Sequence, residues 1–187
     1  MQFLDAIKNG VIVLDGAMGT MTQSLNFTDV DFGGPDYRML GDLLCFSHPG
    51  GIEDVHLQYY RSGANAVETN TFGASPFRLS EYDFSKMDLQ KFGDIPPELE
   101  LTRASYDDIA YWMNVSACRI ADRARERYRA EAEYDGRPLF IVGSVGPSNR
   151  VLSKTNADLR VSTFEAVSDN FRQQVLGLID GGADQLF

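Results

Sequence analysis

Three short polar segments contain the residues best suited to chemistry, and each directly follows an apolar run. They are DGAMGT at residues 15–20, ETNT at residues 68–71 and GSVGPSN at residues 143–149, which we call the first, second and third strand exits. In parallel α/β proteins the carboxyl ends of the strands lie at one edge of the sheet, and ligands bind beyond that edge. The sequence therefore predicts one site to which all three exits contribute.

The first strand exit combines one carboxylate with unusually bare backbone. Gly16 and Gly19 let backbone N–H groups approach an anion, while the Asp15 carboxylate can hold a cation. An amino acid carries both charges, so this segment favours a zwitterionic ligand. Two alternatives stay open. One is an ordinary strand-to-helix turn with a capping aspartate; the other is a phosphate loop, a weaker rival because neither G-x-G-x-x-G nor G-K-[ST] is present.

The other two exits have plainer interpretations as well. Glu68, Asn70 and Thr71 would also suit a polar strand end that hydrogen-bonds to neighbouring loops. The segment GPSN at residues 146–149 would also suit a simple proline turn. Its position directly after an apolar strand is what favours a functional role.

The spacing of Cys45 and His48, with His56 further along, is the strongest hint of a metal site, because C-x-x-H occurs in zinc sites. His56, however, fits the apolar face of a predicted helix, and no fourth ligand is evident. Cys118 lies inside another predicted helix and is expected in the core. We therefore predict free thiols in a reducing compartment and no metal site within this chain.

Composition excludes two classes of partner. The 187 residues carry a formal net charge of -10, so no basic surface for nucleic acid or anionic membranes is expected. No apolar run approaches the roughly 20 residues that span a bilayer, and the N-terminus lacks the basic flank and apolar core of a signal peptide. The sequence therefore predicts a soluble, cytoplasmic protein that binds neither nucleic acid nor membranes.

Hydrophobic periodicity and glycine positions predict strands that alternate with helices. The sequence predicts a buried strand at residues 11–14 and further strands at residues 66–67, 139–142 and 183–187. It predicts helices at residues 3–8, 49–62, 108–133 and 164–180, with Pro49 as a first helical residue and Thr163 as a cap. This alternation predicts an α/β fold with a parallel sheet and right-handed crossovers, as either a barrel or a doubly wound sheet. Residues 26–41 are predicted to form a long loop, and residues 83–107, interrupted by Pro96 and Pro97, an insertion.

In this order, the motifs resemble the homocysteine-binding barrel of the homocysteine S-methyltransferase family, as found at the N-terminus of cobalamin-dependent methionine synthase. The resemblance is carried by VLDGAMGTMTQ, GDLLCFSHPGGIEDVHLQYYRSGANAVETNTF, IAYWMNVSACRIADRA, VGSVGPSNR and TFEAVSDNFRQQVLGLIDGGAD. These segments extend over nearly the whole chain. Several independent motifs in the right order are more specific than any one of them.

The resemblance implies a (β/α)8 TIM barrel, of which residues 1–187 would form the first four βα units, a half barrel with an insertion at residues 83–107. It implies a methyltransferase in which methylcobalamin methylates a zinc-bound homocysteine thiolate to give methionine. The Asp15 carboxylate would bind the amino group of homocysteine, and the backbone at Gly16 to Met18 its carboxylate. The implied substrate-binding residues are Asp15, Gly16, Ala17, Met18, Gly19, Glu68, Asn70, Thr71, Gly146 and Asn149.

The chain departs from the family pattern at its zinc site. The family's zinc ligands are cysteines on later barrel strands, beyond Phe187, and neither Cys45 nor Cys118 matches their positions. We therefore expect a fragment that is inactive alone, with the remainder of the barrel and a cobalamin-binding domain as partners, or with self-association through open sheet edges. The alternative is a non-catalytic half barrel that binds an amino acid or a partner protein. Betaine and S-methylmethionine also stay open as methyl donors.

Overall fold

The structure, a computed structural model, describes residues 2–152 and 160–187. Its α-helices are α1 (Phe3–Asn9), α2 (Met18–Ser24), α3 (Leu44–Ser47), α4 (Pro49–Arg61), α5 (Pro76–Leu79), α6 (Tyr106–Arg129) and α7 (Phe164–Gly181). Short 3-10 turns lie at Asp29–Phe32, Pro35–Tyr37, Gly41–Leu43 and Phe84–Lys86. Its strands are β1 (Ala66–Glu68), β2 (Phe140–Gly143), β3 (Arg150–Val151), β4 (Arg160–Val161) and β5 (Gln185–Leu186). The fold is α/β, as predicted.

Three parallel strands form the main sheet, in the order β1-β2-β5. Ala66 lies opposite Phe140, and Val142 lies opposite Gln185. Neighbours in the sheet thus follow one another along the chain, and the predicted parallel sheet is confirmed. β3 and β4, which the sequence did not predict, pair in parallel with each other as a separate short sheet.

The predicted first strand is reduced to a single parallel bridge between Leu14 and Ala66. The Asp15 N–H extends this contact by donating to the Ala66 carbonyl at 2.9 Å. The expectation of a buried strand at residues 11–14 was wrong, since the Val11 side chain is 87% exposed. The physical reason is position: this segment forms the edge of the sheet, where only β1 lies beside it among the described residues.

Helices cover both faces of the sheet. On one face, α4 and α6 pack onto β1 and β2 through a cluster made of Leu57, Tyr60, Val67, Ala121, Ala124, Tyr128, Leu139 and Ile141. On the other face, α1 packs onto the same strands through Phe3, Ala6, Ala66, Phe140 and Val142. Because successive strand residues point to opposite faces, the two clusters share strands but no side chains.

Local capping signals fix where the long helices begin. The Ser105 hydroxyl accepts from the Asp108 N–H at 3.2 Å at the start of α6. The Thr163 hydroxyl, which the sequence predicted as a cap, accepts from the Ala166 N–H at 3.2 Å at the start of α7. Pro49 occupies the first turn of α4. Each cap satisfies a backbone N–H that the helix leaves unpaired, so these helix starts are encoded locally.

The two segments without predicted periodicity contribute to the main apolar core. Residues 26–41 contribute Phe32, Tyr37 and Leu40, and residues 83–107 contribute Phe84, Met87, Phe92, Leu99 and Leu101. These side chains share one cluster with Ile109 and Met113 of α6. Both segments are therefore anchored by burial. That residues 83–107 are an insertion relative to related chains stays a prediction.

Helices α6 and α7 approach closely because α7 carries glycine at the contact. A Cβ at Gly177 would lie 2.9 Å from the Asn114 Cβ and closer still to the Tyr111 carbonyl, and a Cβ at Gly181 would lie 2.7 Å from the Cys118 Cβ. Separations this short are not found in well-packed interiors, so a side chain at either glycine would force the helices apart.

We expect Gly177→Ala to lower the free energy of unfolding by about 1–3 kcal/mol, because the added methyl group must displace the backbone of α6. The matched control is Gly50→Ala in α4, where a Cβ would meet no atom within 4 Å. There alanine should be neutral or stabilise by up to about 1 kcal/mol, because it restricts the unfolded chain. Urea unfolding measures the free energy of unfolding of both variants. If Gly177→Ala is as stable as Gly50→Ala, the close packing of α6 and α7 is contradicted.

Candidate functional site

The first and second strand exits meet at one cavity of about 730 Å³ beside the carboxyl end of β1. The predicted site residues that line it are Asp15, Gly16, Ala17, Met18, Gly19, Glu68, Asn70 and Thr71. Parallel pairing explains this arrangement, because the segment that ends at Leu14 runs alongside β1 in the same direction. The structure thus brings together the residues that the sequence predicted at these two exits.

The third strand exit reaches the cavity through Ser144 rather than through Gly146 or Asn149. Gly146 lies against the Phe72 backbone and ring. The Asn149 amide donates to the Glu81 carboxylate at 2.6 Å. Gly146 and Asn149 therefore do not line the cavity in this structure, and a ligand-binding role for them stays a prediction.

Asp15 carries the most unusual electrostatics in the cavity. Its Oδ2 accepts a hydrogen bond from the Glu68 N–H at 2.9 Å. Burial raises the pKa of Asp15 to about 7; the Glu68 N–H opposes this shift, and the nearby Glu68 charge adds to it. The acid is therefore about half ionised at neutral pH, and a cation placed beside it would favour the charged form.

Glu68 faces the same cavity and is held there by the third strand exit. The Ser144 hydroxyl donates to its Oε2 at 2.9 Å. Two acids at one mouth create a negative potential that attracts a protonated amine. The alternative in which Asp15 merely caps a helix is not supported, because its carboxylate bonds to β1 and not to α2.

The backbone of the first exit is positioned by Tyr59 of α4. A Cβ at Gly16 would lie 3.0 Å from the Tyr59 hydroxyl, and this hydroxyl donates to the Ala17 carbonyl at 3.1 Å. Glycine thus allows this close approach without displacing Tyr59. Ala17 precedes α2 and has no side chain that could cap it. No side chain among the described residues caps α2, so the backbone N–H groups that open this turn are available to a ligand carboxylate.

Asp42 and Arg78 also line the cavity, although the sequence analysis did not single them out. The Asp42 Oδ1 accepts from the Gly73 N–H at 2.9 Å, which fixes the loop after β1. Burial raises the pKa of Asp42 to about 6, while the Gly73 hydrogen bond and the Arg78 charge oppose the shift. The hydrophobic periodicity of the sequence does not identify Asp42 as a site residue. Its only indication in the sequence was its position in GDLL, the start of one of the segments that resemble the family.

Comparison with known proteins identifies the family. The sequence profile of the homocysteine S-methyltransferase family matches residues 12–187. This chain belongs to that family. The methionine synthase of Mycobacterium tuberculosis is 30% identical over 183 residues, which is 98% of this chain and 13% of that protein.

Solved structures of this homocysteine S-methyltransferase family agree with the fold. The homocysteine methyltransferase MmuM from Escherichia coli matches in its metallated form with a TM-score of 0.68 and 25% identity, over 97% of this chain and 55% of that chain. Its oxidized form gives a TM-score of 0.67 over 98% and 55%. The chain thus spans about half the length of these relatives. Within its described residues, no helix is both long and apolar enough to cross a membrane.

The described residues of this homocysteine S-methyltransferase family member do not fit a zinc ion. No group of three His, Cys, Asp or Glu side chains with metal-binding geometry occurs in residues 2–152 and 160–187. Cys45 and Cys118 are buried, and their thiols approach the Asn70 carbonyl at 3.6 Å and the Leu178 carbonyl at 3.5 Å. Burial raises the pKa of both thiols, which disfavours the thiolate that zinc requires.

The two histidines are also engaged elsewhere. The His48 Nε2 lies 2.6 Å from the Asp31 carboxylate. His56 is fully buried in α4, and neither ring nitrogen has a hydrogen-bond partner among the described residues. Burial lowers the pKa of His56 to about 4, so its ring is neutral. The C-x-x-H spacing therefore does not produce a metal site in this part of the chain.

We expect Asp15→Asn to stabilise the protein at pH 8 but not at pH 4.5. The native pKa of Asp15 lies near 7, above the ordinary value of 3.8, so the folded state binds more protons and loses stability as pH rises through this window. Asparagine keeps an acceptor for the Glu68 N–H and removes the charge. Urea unfolding at both pH values measures the effect. The control is Asp36→Asn at an exposed position, and a destabilised Asp15→Asn at pH 8 would contradict the prediction.

Proposed function

We propose that this chain binds the amino-acid end of homocysteine and forms the substrate-binding half of a homocysteine S-methyltransferase. The observation that supports this most directly is the Asp15 carboxylate, with its pKa near 7, placed beside Glu68 and next to uncapped backbone in one cavity. A carboxylate and free N–H groups together match a zwitterion. Family membership supports homocysteine as the substrate, because relatives of the chain are homocysteine methyltransferases.

Each part of the cavity has a role in this proposal. Asp15 binds the ammonium group, and the N–H groups of Gly16 to Met18 bind the carboxylate. Glu68 adds negative charge beside the ammonium. Gly19, Asn70 and Thr71 line the rest of the cavity and contact the remainder of the ligand. Gly146 and Asn149 lie outside the cavity in this structure, and a ligand contact by them stays a prediction.

We also propose that the chain is the first half of a (β/α)8 barrel. The parallel strands follow chain order across the sheet, and α4 and α6 share one face of it, as expected for barrel strands with an outer ring of helices. The remainder of the barrel would cover the exposed apolar edge at Val11 and Val13. The same edge would otherwise favour self-association.

We propose that residues outside this chain activate the thiol of homocysteine. A free alkyl thiol has a pKa of about 8.5 and is mostly protonated at neutral pH, and zinc supplies a thiolate when bound. Cys45 and Cys118 are buried, and their thiols are hydrogen-bonded to backbone carbonyls. We therefore do not assign the zinc ion to these two cysteines. We propose instead that later strands of the barrel provide the zinc ligands.

We propose methylcobalamin, held by another domain, as the methyl donor. The similarity to a methionine synthase supports this donor. Neither His48, which pairs with Asp31, nor the buried His56 lines the cavity beside β1, and we propose that another domain holds the corrin. Two free, buried cysteines suit a reducing compartment, and we propose a cytoplasmic location.

Binding of L-homocysteine should weaken about tenfold for each pH unit below 7, because the ammonium group requires ionised Asp15 and a proton must then be released. Calorimetry between pH 5 and 8, without zinc, measures this. Two controls remove the ion pair between Asp15 and the ammonium group. The Asp15→Asn variant removes the carboxylate, and 4-mercaptobutanoate, which is homocysteine without its amino group, removes the ammonium group. Both should bind weakly and with little pH dependence. An equally flat profile for homocysteine and the wild-type protein would refute the assignment of Asp15.

A methyl-transfer assay separates binding from catalysis. With zinc and methylcobalamin supplied, we expect the 187-residue chain to form no methionine, because its described residues hold no zinc ligand set. Robust turnover by this chain would overturn the proposal that activation depends on other residues. Homocysteine binding without turnover is also what a non-catalytic half barrel would show, and activity after addition of the later strands distinguishes the two.

A further inference from the structure

Gln174 of α7 is a polar side chain in a fully buried position, where an apolar one would be expected. Its exposed fraction is 0%. The side-chain Nε2 donates to the Thr71 carbonyl at 2.7 Å and lies 3.5 Å from the Ser144 carbonyl. Its Oε1 has no hydrogen-bond partner among the described residues. A buried, half-satisfied amide costs stability, so packing alone does not explain it.

The two carbonyls that Gln174 contacts belong to the second and third strand exits. Other hydrogen bonds connect the same two exits: the Thr71 hydroxyl donates to the Ser144 carbonyl at 2.8 Å, and the Ser144 N–H donates to the Thr69 hydroxyl at 3.0 Å. The backbone of Ser144 is therefore fixed from α7 and from the loop after β1. Its hydroxyl is the group that holds the Glu68 carboxylate.

We propose that Gln174 is a positioning residue: it fixes Ser144 and, through the Ser144 hydroxyl, keeps the Glu68 carboxylate beside Asp15. The role in substrate binding rests on the proposed function, whereas the effect on Asp15 does not require a ligand. Gln174 itself does not line the cavity. It acts through Ser144 and Glu68 and not by contact with substrate.

The electrostatic consequence can be measured at Asp15. The Glu68 charge adds to burial in raising the pKa of Asp15, so a Glu68 side chain that turns away should lower it. The other ionisable groups that face Asp15 are Tyr59 and Tyr60 of α4, whose own pKa values are raised by burial and by the Asp15 charge. Across the cavity the charged groups are Asp42 and Arg78. The hydrogen bonds of Gln174 in the described structure go to the Thr71 and Ser144 carbonyls and to none of these four groups.

The loop after β1 has further anchors that do not depend on Gln174. The buried Asn114 amide of α6 donates to the Ala74 carbonyl at 2.8 Å. At the start of α5, where this loop ends, the Asn170 Oδ1 of α7 accepts from the Phe77 N–H at 2.6 Å. Loss of Gln174 should therefore release the strand exits locally while the rest of the loop stays attached.

The test compares Gln174→Met with Gln173→Met. Methionine has a similar length to glutamine and removes only the hydrogen-bonding groups. Gln173 is the adjacent residue of α7 and lines a separate surface groove, so the same substitution there serves as the matched control. The primary readout is the titration midpoint of the Asp15 carboxyl group, followed by carbon NMR in the ligand-free protein.

We expect the Asp15 midpoint to fall by about 0.5–1 pH unit in Gln174→Met, as a partly solvated like charge moves away, and to stay unchanged in Gln173→Met. Affinity for L-homocysteine at pH 7 should fall about tenfold in Gln174→Met only, because the acid pair is no longer positioned. An Asp15 midpoint that is the same in both variants would overturn the proposal and leave Gln174 a purely structural residue, whatever its effect on stability.

Ser144→Ala keeps the test decisive if Gln174→Met does not fold. This variant removes the hydroxyl that reaches Glu68 and leaves α7 untouched. The same fall in the Asp15 midpoint supports the proposal, and an unchanged midpoint overturns it. If the wild-type protein binds no homocysteine while the midpoint still falls in Gln174→Met, the proposed function fails and the positioning role stands.

Discussion

The hydrogen bond between the Glu68 N–H and the Asp15 carboxylate connects the fold to the candidate site. The first strand exit is attached to β1 by this bond, by the bridge at Leu14 and by the adjacent backbone bond to Ala66. The carboxylate is partly buried where it meets β1, and burial is the largest cause of its raised pKa. The geometry that joins the edge segment to the sheet therefore also sets the charge of the cavity.

Features encoded by neighbouring residues could be predicted from the sequence. The start of α7 was predicted from Thr163, and the start of α4 from Pro49, because capping depends on residues within one turn. The shared cavity of the first two exits followed from one rule, since parallel strands end at the same edge. The repeated change from apolar run to polar exit was sufficient to apply that rule.

Features fixed by distant contacts could not be predicted. Residues 11–14 have the composition of a buried strand, yet burial requires neighbours on both sides and this segment has β1 on one. Residues 83–107 have no periodicity because their apolar side chains fit the core individually. Gln174 lies 103 residues from Thr71, whose carbonyl it binds, and nothing near it in sequence indicates that contact.

Several buried polar groups that reduce stability lie around the second strand exit and the loop that continues from it. Asn114, Asn170 and Gln174 each have one buried atom without a partner among the described residues. Asn114 and Gln174 hold the loop that follows β1, and Asn170 holds the start of α5, which comes next. Asp42, a buried acid with a raised pKa, contacts the same loop. Such local cost is tolerated where a site must be held in one geometry, and its location argues that the loop after β1 was shaped for binding as well as for packing.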